Sequence, residues 1–223
     1  MTTTAATSIM QRLRDETQEH HKRAEAKPLE QMLIAGQPDA RMYSAMLAQR
    51  FLVHRVLEAH IAGLAMRDAR IRDIVPPILF QTENLRRDLE YFDIATDAAL
   101  GTSPRSGDIH PLAATAKLIA AIDRTAVEQP AALLGFYYVF EGSKNGARYI
   151  AARVGPILGL ASGDPGLLYL DPHGQAQREL WQGFKQRMDA AGFAAPETDA
   201  MVECAKVAFD CVGEMDDEIA SVA

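Results

Sequence analysis

The chain has 223 residues, 48% of them hydrophobic, and a formal net charge of −7. Such a length suits one domain or at most two, with enough apolar residues for a sizeable core. The acidic balance argues against a nucleic-acid binder and against docking on anionic membranes, since both need a basic face; it leaves room for a small basic pocket.

No apolar run approaches the roughly 20 residues that span a bilayer. The N-terminal MTTTAATSIMQRLRDE has no apolar core of the signal-peptide kind. Residues 1–7 read as a flexible lead into the first helix, and the protein is expected to be cytoplasmic. The two cysteines are Cys204 and Cys211. Seven residues apart on one helix, their Cα atoms would lie roughly 10 Å apart, too far for a disulfide. They read as buried, reduced thiols in a reducing compartment.

Helical periodicity dominates, and strand-like alternation is absent. The first helix is predicted from about Thr7 to Ala26, with Ser8 as its N-cap and Pro28 as its stop. Asp39 to Met66 reads as a long helix, with Met42, Met46, Phe51, Leu52 and Val56 near a three-four pattern. Pro76 and Pro77 break the chain before a helix from Leu79 to Ile94, and Gly101 to Asp108 reads as a loop. Pro111 opens a helix ending near Arg124. Pro130 opens another that extends towards Val154, with a disturbance expected at Gly142 and Gly146. Gly155 to Gly174 reads as a long connection, followed by helices at about Gln175–Ala190 and Pro196–Ile219. With no repeat and no dividing linker, this implies a single all-α domain of about eight helices over residues 1–223, burying their apolar stripes in one core.

The first helix holds the first chemistry. Leu13, Thr17, His21 and Ala24 fall on one face, while His20 points about 100° away from His21. Glu25 follows His21 by four residues, so its carboxylate can accept the second imidazole N–H and fix the tautomer of a metal-binding histidine. An amphipathic helix with two surface histidines gives the same pattern.

Phe136-Tyr137-Tyr138-Val139-Phe140-Glu141-Gly142-Ser143-Lys144-Asn145-Gly146-Ala147-Arg148 is unusual for a helix interior. Each glycine costs about 1 kcal/mol relative to alanine there. Glycine permits a kink or a close approach of backbone to a ligand. A tight helix–helix crossing, or a loop, would account for it equally well.

These two segments resemble the first and distal helices of bacterial heme oxygenases. The string from Leu13 to Glu25 is similar to the family's proximal helix, with its heme-iron ligand at His21 and the ligand's acidic partner at Glu25. A basic residue beside a heme propionate falls at Arg14. The glycine segment resembles the helix that bends over the heme. There the resemblance places Gly142, Ser143, Gly146 and Ala147 near the oxygen side, with Tyr137 as an aromatic on the same helix. The chain departs from the family in having Ser143 where mammalian-type members have Asp. Asn145 replaces a usual Leu, Lys144 precedes it, and Ala147 replaces a second glycine. Trp181-Gln182-Gly183-Phe184-Lys185-Gln186-Arg187-Met188 is similar to the propionate-binding helix, with its cation at Lys185. Ala205-Lys206-Val207-Ala208-Phe209 and Arg55-Val56-Leu57-Glu58 also resemble family segments. Lys185 and Arg187 read equally as a solvated face, and Phe209 first as core.

The resemblance runs from Leu13 to about Ile219 and implies a heme oxygenase-like helical fold. It also implies heme as cofactor and substrate, and O2 consumption. Biliverdin, CO and ferrous iron would be the products. In that setting Ser143 and Asn145 would anchor water beside the glycine backbone. Electrons would come from an external donor such as a ferredoxin, a flavoprotein reductase or an ascorbate-like reductant, since the chain has no Gly-rich dinucleotide fingerprint. A heme carrier or sensor on the same fold is the competing reading. A helical di-iron enzyme is a third, but it needs Glu-x-x-His pairs, and the chain has none.

Overall fold

The computed structural model describes residues 8–37, 39–94 and 109–222. Among them the regular structure is helical, with no strand. The α-helices are α1 (Ile9–Glu25), α2 (Pro28–Ile34), α3 (Ala40–Ala65), α4 (Ala69–Ile74), α5 (Thr82–Tyr91), α6 (Ala113–Glu128), α7 (Leu133–Leu158), α8 (Gln177–Ala190) and α9 (Ala195–Val222). The expected loop at Gly101–Asp108 and the lead segment 1–7 lie outside the described residues.

Local chemistry sets the helix starts. The Ser8 hydroxyl accepts the Gln11 amide at 3.2 Å, and Asp39 accepts the Arg41 and Met42 amides at 2.8 and 3.0 Å. Pro28 opens α2 as well as following α1, because a first-turn position needs no N–H. The short α4 was not foreseen, and α5 begins at Thr82, three residues later than expected, after a 3-10 turn at Pro77–Leu79.

Helix α7 corrects two expectations. It runs without a break through Gly142 and Gly146, and it continues past Gly155 and Pro156 to end at Gly159, whose φ is +72°. Burial of Phe136, Tyr137, Val139 and Phe140 in the common core outweighs about 1 kcal/mol per glycine. Pro156 sits in the last turn, where one lost N–H is a small interruption. The close helix crossing falls instead at Gly135. A Cβ there would stand 2.0 Å from the Met201 carbonyl oxygen, so α7 and α9 meet backbone to backbone.

Helix α9 is the spine, with α1 and α7 as its main partners and α6 alongside, while α3 packs on α5 and α6. Their apolar faces join one core. Cys211 is buried in it and Cys204 half-buried; burial pushes both thiols up to about 11, so both stay neutral and unpaired. No described helix is long and apolar enough to cross a membrane.

Candidate functional site: a histidine-lined cavity between α1 and α7

A cavity of about 610 Å³ opens among α1, α2, α3, α7 and α9, with Tyr169 and Leu170 from the α7–α8 connection on its wall. That size lies within the usual range for small-molecule and cofactor sites. Much of the wall is apolar, including Leu33, Met46, Val139, Phe140, Ile150 and Phe209.

Helix α1 contributes His21, Ala24 and Glu25, three positions on one face. The Nδ1 atom of His21 stands 3.4 Å from a Glu25 carboxylate oxygen, and both side chains are about half exposed, at 51% and 55%. The His21 ring meets Phe209 of α9 edge to face, with centroids 5.3 Å apart. Nε2 has no protein partner among the described residues. His20, by contrast, is held by Asp210 at 2.8 Å and by Arg23, and it does not line the cavity.

Helix α7 contributes Gly142, Ser143, Asn145, Gly146 and Ala147. A Cβ on Gly146 would meet nothing within 4 Å, while one on Gly142 would touch Trp181 at 3.5 Å. The Ser143 hydroxyl donates to the Phe140 carbonyl and the Asn145 amide to the Gly142 carbonyl, each at 2.9 Å. Both side chains thus spend a donor on their own helix. Lys144 turns away from the cavity into the protein. It is bonded to Glu141 at 2.6 Å and to the Leu79 carbonyl at 2.8 Å, and burial lowers its pKa.

Three expected residues do not line the cavity. Tyr137 is buried in the core, where its hydroxyl donates to the Leu79 carbonyl at 3.0 Å. Arg14 is exposed on α1, close enough to Tyr138 to act on its phenol. Lys185 stands 5.8 Å over the Trp181 ring, and Trp181 in turn lies 5.9 Å from Tyr138. Trp181 is the side chain nearest Gly142, so Lys185 lies on the flank beside the Gly142 end of the cavity, while Arg14 lies near Tyr138.

Several polar lining groups were not foreseen. Arg50 of α3 pairs with Asp216 of α9 at 3.2 Å, both buried. Glu30 of α2 faces the cavity, and burial, then the nearby Asp216 charge, pushes its pKa up to about 7. Arg153 lies on the rim and donates to the Ile34 carbonyl. Its guanidinium has no carboxylate partner among the described residues.

The sequence model of the heme oxygenase family matches residues 7–218. The chain belongs to the heme oxygenase family. No curated protein matches the sequence. Among solved structures, this family member is similar to heme oxygenase from Leptospira interrogans at 22% identity and a TM-score of 0.81, covering 95% of this chain and 100% of that one. It is also similar to heme oxygenase-2 from Synechocystis in complex with heme and NO, at 20% identity and a TM-score of 0.84, covering 97% and 86%. A domain of unknown function with a heme oxygenase-like fold from Shewanella denitrificans aligns at 12% identity and a TM-score of 0.69, covering 98% and 94%. At these identities the structural likeness is one of fold.

Proposed function

We propose that this heme oxygenase family member binds heme through His21 and opens the ring to biliverdin, with release of CO and ferrous iron, using O2 and electrons from an external donor. The observation that carries the reading is that His21, backed by Glu25, and the glycine-bearing stretch of α7 line one apolar-walled cavity.

The residues present fit heme. The free Nε2 of His21 would hold the iron, and Glu25, 3.4 Å from Nδ1, would orient the imidazole. The open space over Gly146 accepts a flat ring against helix backbone. Bound heme supplies both the iron that activates oxygen and the ring carbon that is oxidised. The protein's part is to fix the ring through His21 and Phe209 and to limit space on the α7 side with glycine backbone. The carboxylates need cations, and two sets are available. Lys185 stands on the flank near Gly142 with Arg14 near Tyr138, and Arg153 stands on the rim lined by α2 and α7.

A heme carrier on the same fold is the second reading. It is favoured by one observation: Ser143 and Asn145 already donate to their own helix. Product analysis after heme, O2 and a reductant are added separates the two. Biliverdin and CO support the oxygenase, whereas unaltered heme supports the carrier.

A further inference from the structure

The face of α7 turned away from the cavity carries Tyr137, Glu141 and Lys144, spaced by four and three residues and all buried. Lys144 forms a salt bridge with Glu141 at 2.6 Å, and its Nζ also donates to the Leu79 carbonyl at 2.8 Å. The Tyr137 hydroxyl donates to the same carbonyl at 3.0 Å. Two donors, one on each side of Gly142, therefore converge on a single acceptor outside the helix.

That acceptor is itself well held. Leu79 ends the 3-10 turn that follows Pro76 and begins at Pro77, two residues with fixed φ. Just beyond it, the Glu58 carboxylate of α3 stands 2.9 Å from His54 Nδ1 and accepts the Gln81 amide at 2.6 Å and the Thr82 amide at 3.0 Å. Gln81 Nε2 also donates to the Leu79 carbonyl, at 3.1 Å, but from within the same segment.

The cavity side of the glycine stretch offers no such hold. Gly142 and Gly146 have no side chain, and Ser143 and Asn145 each donate to a carbonyl of their own helix. Glycines also leave a helix easier to bend. Stability does not account for the pair behind it. A buried ion pair adds little over apolar side chains of similar size, and the second oxygen of Glu141 has no protein partner among the described residues. What such a pair can add is one defined register.

We propose that Lys144 is a positioning residue that holds the glycine stretch of α7 over the cavity from behind, through the Leu79 carbonyl and Glu141. The proposal rests on the reading that heme lies beneath this stretch. The backbone at Gly142 and Gly146 then sets the clearance above the ring, and Lys144 sets where that backbone stands. No side chain inside the cavity is needed for the task, so the space over Gly146 stays open. Tyr137 secures the helix before Gly142 and Lys144 secures it after, so loss of Lys144 frees the stretch towards Ala147.

The test is Lys144→Met combined with Glu141→Leu, because removing both partners of a buried pair is tolerated where removing one strands a charge. A thermal melt checks that the variant folds. If it does not, Lys144→Met with Glu141→Gln takes its place and is read in the same way. In the heme-free protein the amides of Gly142–Ala147 should exchange hydrogen about tenfold faster than in wild type, the scale of one lost charged hydrogen bond, while those of α9 keep their rates. With ferrous heme and CO as the probe, the variant should keep the histidine-type Soret spectrum and the heme affinity, and its C–O stretching band should shift or broaden. A folded variant whose Gly142–Ala147 amides exchange at the wild-type rate overturns the proposal. So does a C–O band unchanged in both position and width. If wild type itself fails to bind heme with a histidine-type spectrum, the heme reading fails on its own, and hydrogen exchange in the heme-free proteins still decides the role of Lys144.

Discussion

The His21 imidazole meets the Phe209 ring edge to face, with centroids 5.3 Å apart and planes at 87°. Phe209 thereby limits rotation of the histidine from the α9 side, while Glu25 holds Nδ1 from the next turn of α1. His20, one residue earlier, is tied to Asp210. His21→Ala should therefore lose the histidine-type Soret spectrum on heme titration, and His20→Ala should keep it. The reverse pattern would move the ligand to His20.

The carboxylate edge of the ligand is tested by single alanine substitutions at Arg14, Lys185 and Arg153. A charge-assisted bond is worth about 1.5–3 kcal/mol, roughly tenfold or more in affinity. If Arg14 and Lys185 hold the propionates, their variants should weaken heme binding or change the bilin isomer, while Arg153→Ala should leave both unchanged. Loss confined to Arg153→Ala would turn the ring's carboxylates to the opposite rim.

Two glycines of α7 should separate site from scaffold. Gly146→Leu has room for its Cβ, so the fold should survive while the side chain fills the cavity and stops bilin formation. Gly135→Ala would press a methyl into the Met201 carbonyl and should destabilise the protein by about 1–3 kcal/mol or more without a change at the site. Thermal melts and heme titrations on both variants check the contrast. Wild-type turnover in Gly146→Leu would place the oxygen side elsewhere.

Glu30 should give stability a pH dependence of definite sign. A carboxyl raised in the folded state binds more protons when folded. Its favourable contribution is complete below about 4.5 and is lost as pH rises through about 7. Asp216, raised by burial, acts in the same direction. Glu58 is held low, so its contribution is present above its unfolded value and is lost in acid. Glu30→Gln should therefore stabilise the protein at pH 8 relative to wild type, by about 1–2 kcal/mol after screening through the open cavity, and hardly at pH 5. Melting curves at the two pH values check this; an equal effect at both would mean that Glu30 titrates normally.

The long helices and the α1 motif were readable because each depends on neighbours in sequence. Ser8 caps, His21 and Glu25 lie one turn apart, and α3 and α9 carry sustained apolar periodicity. The six-residue α4 is too short for a period to show. His54 and Glu58 repeat the very spacing of His21 and Glu25, yet inside a helix buried on most sides they read as interruptions of an apolar run. Arg50–Asp216 and His54–Tyr169 join residues more than 100 positions apart, which no local pattern encodes. Lys144 lies on the same helix as the cavity residues, but its register carries it to Glu141 and the core. Gly135 shows that the residues which need a glycine for packing were not the pair that stood out in the sequence.

Ring opening at His21-bound heme is the reaction proposed for this protein. Its most direct test is a single turnover of the wild-type ferric heme complex with a reductant and O2, followed by absorbance, chromatography of the pigment and CO detection. Wild type should give one biliverdin isomer, with CO and ferrous iron, and Gly146→Leu none. Heme bound with a histidine-type spectrum, yet recovered intact under every reductant tried, would contradict it.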